Sequence, residues 1–378
     1  MHHIFNKPGW TLAGIIGLLV VAAAAIFGQG GPLNPPGPPG PTMKTLDQIE
    51  PRTPISAIPF TISQPGSYYV TRNLTVSGGG DGITIQSDNV TLDLGGFTLD
   101  GAGTGRHGVT NQTNYHGLQV RNGNVQNWTQ RGFDLQFSFS IVLERVQARN
   151  NAIGIVVSSG LVSQCAAVFN TGTGIVANFS KVSDCVASVN PIGINMQSST
   201  LRGCRVGDSS DSGIIASRSV VEGCEIDQCR WGIVVQGHSH VHHNTVLFSG
   251  SDGFRVVGTG GSTISDNNVA SSGISVPATG IYVESNTNRI VRNNVTGTNV
   301  GNGIGVAGSF NTIDDNSVLQ NNGLGISVAG SKNTVVRNSS LGNAPPGGAV
   351  TNYSIGGGNN PGPVNAANAS TNPWSNTQ

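Results

Sequence analysis

From residue 82 to residue 336 apolar and polar positions alternate in short runs, punctuated by Gly, Asn and Ser. One marker recurs: a Gly, an apolar residue, a variable residue and usually a second apolar one. It reads "GITI" at 82, "GVTN" at 108, "GFDL" at 132, "GIVV" at 154, "GIVA" at 174 and "GINM" at 193. It continues as "GIIA" at 213, "GIVV" at 232, "GFRV" at 253, "GIYV" at 280, "GIGV" at 303 and "GISV" at 325. Successive marker glycines lie 19 to 27 residues apart. Period-two alternation predicts short strands, and the Gly/Asn/Ser clusters predict turns between them. No stretch shows a helical period, which excludes a helical solenoid or a leucine-rich repeat. Repeats of this length, built only from strands and turns, predict an all-β fold: a right-handed parallel β-helix of about twelve coils. Coils stacked at roughly 4.8 Å would make a rod of about 60 Å.

A second marker runs in phase: an apolar residue, two polar positions, Cys or Asn, one residue, and another apolar residue. It reads "VSQCAA" at 162, "VSDCVA" at 182, "LRGCRV" at 201, "VEGCEI" at 221, "VHHNTV" at 241 and "ISDNNV" at 264, and persists to "VVRNSS" at 335. Cys165, Cys185, Cys204 and Cys224 therefore share one position of consecutive coils, which Asn244, Asn267, Asn293, Asn316 and Asn338 then occupy. Cysteine reads here as a small buried filler, and asparagine as an amide ladder satisfying turn backbone.

The residue two after each marker glycine should point outward. That row holds one acid, Asp134, with no second carboxylate beside it in the row. Glycoside hydrolysis needs a facing carboxylate pair, so the row argues against catalysis. It contains instead the aliphatic run Val156, Val176, Ile215 and Val234, broken by Asn195. Two readings stand: strand-forming residues on an exposed face, or a self-association surface for a homotrimer, a fibre or another partner.

Composition narrows the classes. Formal net charge is zero and only 10% of residues are charged, so the basic stripe of a nucleic-acid binder is missing. Five cysteines without a CxxC pair give no disulfide framework and no zinc knuckle. Residues 1–28 place Lys7 before the apolar run 11–28, the order of a signal peptide or an uncleaved signal anchor. A Pro/Gly-rich linker follows at 29–42. The remaining divisions are an N-terminal cap at 43–81, the β-helix at 82–343 and a C-terminal cap and tail at 344–378. Such a chain is expected to be exported, to the periplasm, the cell surface or the medium, with an N-terminal membrane anchor as the alternative.

"GHSHVHHNTV" (237–246) gathers four of the eight histidines. The coil register sets His242 beside Glu222 and His243 beside Asp266, the latter column continuing as Arg292, Asp315 and Arg337. Alternate imidazoles with a nearby carboxylate are a zinc or copper donor set. The candidate ligands are His238, His240, His242 and His243 with Glu222 and Asp266. The opposing reading, polar decoration of one coil, is the stronger, because the site is open and has no evident supporting shell. Asp208, Asp211, Glu225 and Asp227 offer weak calcium binding or simply solvated turns. No cofactor is required by any of these patterns.

The coil markers resemble the right-handed parallel β-helix superfamily, which includes pectate lyases and NosD-like periplasmic copper-maturation proteins. "PTMKTLDQIEPRTPI" (41–55), "QPGSYYVTRNLT" (64–75) and "DGITIQSDNVTLDLGGFTL" (81–99) are similar to the opening segments of uncharacterised secreted bacterial members. The tail "NYSIGGGNNPGPV" with "NPW" (352–374) is similar to their endings. The resemblance implies the fold and leaves the activity open, since the superfamily hosts lyases, hydrolases, epimerases and inert fibres. The leading expectation is an exported non-catalytic rod: a surface scaffold, adhesin or binder of polysaccharide or cell-surface glycan. The alternatives are a polysaccharide lyase or glycoside hydrolase, and a periplasmic metal-handling protein.

Overall fold

The computed structural model describes residues 51–275, 278–365 and 372–378. The signal or anchor segment and the linker lie outside the described residues. No helix occurs among the described residues, so none there is long and apolar enough to cross a membrane.

The chain winds as a parallel β-solenoid whose coils carry three short strands each. The first strands of the coils stack into a 14-stranded sheet, here face one. The second and third strands form faces two and three, joined into a 28-stranded sheet because Gln119–Gln126 and Ile141–Arg149 run over both without a break. One representative coil has Ile153–Ser158, Gly160–Ser163 and Ala166–Val168. The sequence led to about twelve coils; face one has fourteen strands. The two extra strands, Phe60–Ile62 and Tyr353–Ile355, pair with Ile83–Ile85 and Ile326–Val328. They escaped the repeat because Pro59 and Asn352 stand where other coils have the marker glycine. The solenoid thus extends into both segments assigned to caps.

Register explains why the repeat is strict. Ile155, Ile175, Ile194, Ile214, Ile233, Phe254, Ile281, Ile304 and Ile326 stack one above another on face one, all fully buried. A one-residue slip would turn every one of them to solvent. The marker glycine precedes this row because coils approach closely there: a Cβ on Gly232 would lie 2.4 Å from the carbonyl oxygen of Gly253.

Each coil turns three corners, each on one residue in the left-handed backbone region. In the coil starting at Ile153 these are Ser159, Gln164 and Phe169, with φ of 54°, 53° and 57°. Side chains resist this conformation by about 1–2 kcal/mol. It persists because an inward residue follows each corner and bonds to the next coil. Asn170 donates from its backbone N and its Nδ2 to Asn190 Oδ1, both at 3.0 Å. At the second corner Cys224 N donates to Asn244 Oδ1, and the amide ladder runs on through Asn267, Asn293, Asn316 and Asn338. The first corner carries Ser180, Ser199, Ser219, Ser239 and Ser262, then Asn288, Asn311 and Asn333. All five cysteines are buried and free; Cys165 Sγ donates to Ser163 O at 3.1 Å.

Candidate functional site on face one

Two outward positions per coil decorate face one: the residue before the marker glycine and the residue two after it. In the coils from Gly154 to Gly232 these include Ile153, Val156, Val176, Ile192, Ile215 and Val234. The expected row is in register, Val156 beside Val176 and Ile215 beside Val234. It is less exposed than expected: Val156 and Val234 are buried, and Val176 and Ile215 are half-buried. Neighbouring outward side chains cover one another on a tightly stacked sheet. Charged and aromatic groups replace this apolar stretch at both ends.

Toward the C-terminus, Trp231 starts the strand Trp231–Gln236, and Val234 lies beside Arg255, which lies beside Tyr282. Two guanidinium groups lie over the Trp231 ring, Arg230 at 4.4 Å and Arg255 at 5.5 Å from its centroid. Arg255 Nη2 donates to Glu284 Oε1 at 2.5 Å. Asp252 sits beneath this group, only 6% exposed, its Oδ1 accepting from Thr279 N at 2.8 Å. Burial pushes its carboxyl above the usual range and the Glu284 charge adds to that, against the Thr279 hydrogen bond and Arg255. A cleft of about 390 Å³ opens here, lined by Asp252, Arg255, Thr279, Tyr282 and Asn302 among others. Arg230, Phe248 and Ile274 help to line a second hollow of about 610 Å³.

At the N-terminal end, Arg106 pairs with Asp81 and Arg131 Nη1 with Asp134 Oδ1 at 2.7 Å. His107 lies buried between them, its Nδ1 3.8 Å from Asp134 Oδ2 and without a hydrogen-bond partner. Burial holds its pKa below the ordinary histidine value, although Asp134 and Asp81 pull it up.

These groupings draw on positions beside the row read from the sequence. The two-after row holds Asp134 alone, and two further carboxylates lie outside it: Asp252 at the position before the glycine and Glu284 four after it. A search of the position before each glycine would have found Asp252. A second signal was available, since the longest glycine intervals, 82 to 108 and 253 to 280, border these two clusters.

The histidine cluster lies elsewhere, on face two. His240 and His242 belong to the strand His240–His242, with ring centroids 4.5 Å apart. His243, at the second corner, brings Nδ1 within 2.8 Å of His242 Nδ1. His238 turns the first corner instead and meets Thr259 at 3.4 Å. Glu222 adjoins His242 in register as expected, but Arg202 takes its carboxylate, and Arg292 takes Asp266 through two bonds at 2.7 and 2.8 Å. Arg337 pairs with Asp314, not with Asp315 of its own column. Among the described residues no three His, Cys, Asp or Glu side chains are set to hold a metal ion.

The family model described as the right handed beta helix region matches residues 159–269 and 221–360, together more than half of the chain. The protein belongs to this right-handed parallel β-helix family. Two solved structures from Azotobacter vinelandii share the fold. The A-module of mannuronan C-5 epimerase AlgE6 is 16% identical, with a TM-score of 0.53 over 72% of this chain and 82% of the module. The A-module of AlgE4 is 15% identical, with a TM-score of 0.50 over 71% and 82%. No curated protein matches the chain in sequence.

Proposed function

We propose that this protein is an exported β-helix rod that binds an extended glycan along face one, seated at the C-terminal cluster. The carrying observation is Trp231, with the guanidinium groups of Arg230 and Arg255 over its ring, each of which also lines a hollow, and Tyr282 two coils on. An aromatic ring with a rigid rotamer offers an apolar surface, while the arginine, tyrosine and asparagine beside it supply hydrogen bonds for hydroxyl groups. Ligand sites usually combine an apolar wall with a few convergent polar groups in a cleft of this size. A flat, repetitive sheet also suits a repetitive polymer, because each coil advances by roughly 4.8 Å. The similar Azotobacter modules are named for an enzyme of mannuronan, which agrees with a glycan ligand; at their low identity they speak for the fold. Export agrees with the apolar N-terminal segment.

A glycan array followed by affinity electrophoresis tests this. Trp231→Ala and Tyr282→Ala should each weaken binding by about tenfold, roughly 1.4 kcal/mol. Unchanged affinity in both variants would remove the cluster from the binding surface.

A further inference from the structure

We propose that the first corner of the coils, from Phe137 to Lys332, docks on an anionic phospholipid surface. Its phenylalanines enter the interfacial layer and its basic residues meet the phosphates. The proposal stands independently of the glycan reading.

The three corner columns differ in chemistry although their backbones are alike. Left-handed residues of the second corner include Asp184, Asp266 and Asp315 with Arg292 and Arg337, and both arginines are held in ion pairs. The third corner carries Phe169 and Phe248, with Asp208 between them. At the first corner the left-handed residues from Ser140 to Lys332 include Phe179, Arg218, His238 and Phe310, and none is acidic. Glu284, three residues before Thr287 at this corner, is already engaged by Arg255. Phe179 is 66% exposed and Phe310 54%, and Phe137 and Phe139 stand half-exposed in the turn before Ser140. The frame does not ask for these rings. Ser159 and Ser198, one coil before and one after Phe179, take φ of 54° and 50° against its 50°. A bulky side chain is strained in this backbone region, so its presence there points to a role outside the fold.

Cations accompany the rings. Lys332 Nζ lies 4.9 Å from the Phe310 ring centroid. Lys181 follows Phe179 by two residues, and the two help Leu161 to line a hollow of about 590 Å³. Farther along the same corner, Arg218 and His238 line another of about 540 Å³ with Ser217 and Thr259. Among the described residues Lys181, Arg218 and Lys332 have no carboxylate partner, unlike Arg202, Arg255, Arg292 and Arg337. Exposed aromatic rings beside unpaired cations suit the headgroup layer of an anionic bilayer. Two copies meeting through this corner would oppose cation to cation, so lipid phosphate is the better complement.

The test mixes the full chain with vesicles of phosphatidylcholine and phosphatidylglycerol carrying brominated acyl chains, and with phosphatidylcholine alone. Phe179→Trp and Phe310→Trp report the first corner and Gln164→Trp the second. Wild-type fluorescence is subtracted, and circular dichroism confirms folding. The apolar run 11–28 can itself hold the chain to lipid, so the readout is the contrast between positions, not binding alone. Bromine should quench the new tryptophan at 179 and at 310 but not at 164, and only with phosphatidylglycerol present. Adding Lys181→Ala/Arg218→Ala/Lys332→Ala to the Phe179→Trp chain should cut lipid occupancy of the corner by about 100-fold. Equal quenching at 164, or none at 179 and 310, overturns the docking. Quenching undiminished in phosphatidylcholine alone and in the triple variant removes the phosphates from the contact and overturns it too. A dimer in light scattering that Phe179→Ala dissolves would assign the corner to a second copy instead.

Discussion

Between Gly154 and Gly232 the marker glycines recur every 19 or 20 residues, whereas the intervals from 82 to 108 and from 253 to 280 are 26 and 27. The regular middle of face one carries aliphatic outward residues. Its irregular ends carry Asp81, His107, Arg131 and Asp134 on one side, and Trp231, Asp252, Arg255 and Glu284 on the other. The inward rows are locked in register, so extra residues can only leave the solenoid at a corner. There they rise beside the outward side chains and wall them in. Ile274 and Ser275 do this near Arg230, and the turn after Gly101 does it near Arg106. The hollow beside Arg230 follows from that geometry. In this solenoid the regular coils make the rod, and departures from regularity gather the charged and aromatic outward groups of face one.

The regular stretch and the C-terminal cluster should differ most in what they contribute to stability. Ile214 is fully buried in the regular stretch, and Ile214→Ala should destabilise by about 3 kcal/mol through lost burial and an unfilled cavity. Arg255→Ala, in the irregular cluster, removes a half-exposed ion pair and should lower stability by less than about 1 kcal/mol. Urea unfolding measures both. Equal losses would mean that the end cluster is part of the frame.

A smaller effect of opposite sign would sharpen it. Asp252 has its folded-state pKa raised by burial, so the native protein holds that proton to higher pH than the unfolded chain does. Its contribution to stability is therefore present below about pH 3.9 and is lost as pH rises through the folded value. Asp252→Asn should accordingly be more stable than wild type at pH 7, with the difference shrinking toward pH 4. A variant that gains stability while losing glycan binding would mark a residue retained for function. Asp252→Asn less stable than wild type at pH 7 would assign the carboxylate a structural role instead.

The fold was readable because period-two alternation and recurring glycines have one physical cause, coils stacked in register. The Cys-to-Asn column was readable too, since Cys224 N does bond Asn244 Oδ1. The site was not, for two reasons. A row-by-row reading treats each outward column alone, yet Arg255 meets Glu284, of a different column, only across coils. Burial also depends on chain walls that no spacing rule supplies, so Asp252 and Glu284 look alike in sequence, yet Asp252 is buried and Glu284 is half-exposed once folded. The histidines misled for the converse reason. Their crowding in sequence is genuine, but the corner at His238 sends one of the four to another face of the coil, and arginines had already engaged the carboxylates.

That last point gives the smallest effect and the sharpest contrast with the end clusters. His242 belongs to a regular coil, and burial followed by the neighbouring His240 charge lowers its pKa. The unfolded chain then binds the proton more readily than the folded one, so stability rises with pH toward and past the ordinary histidine value near 6.5. His242→Ala should shift unfolding by less than about 0.5 kcal/mol at pH 8, where the ring is neutral in both states. Near pH 5.5 the variant should be slightly the more stable, because the other two imidazoles lose a like-charged neighbour. Zinc titration should not separate His242→Ala/His243→Ala from wild type, since Arg202 and Arg292 already engage the adjoining carboxylates. Were the double variant to lose a zinc site, chemistry would also reside in a regular coil, and interval length would no longer mark where this rod acts.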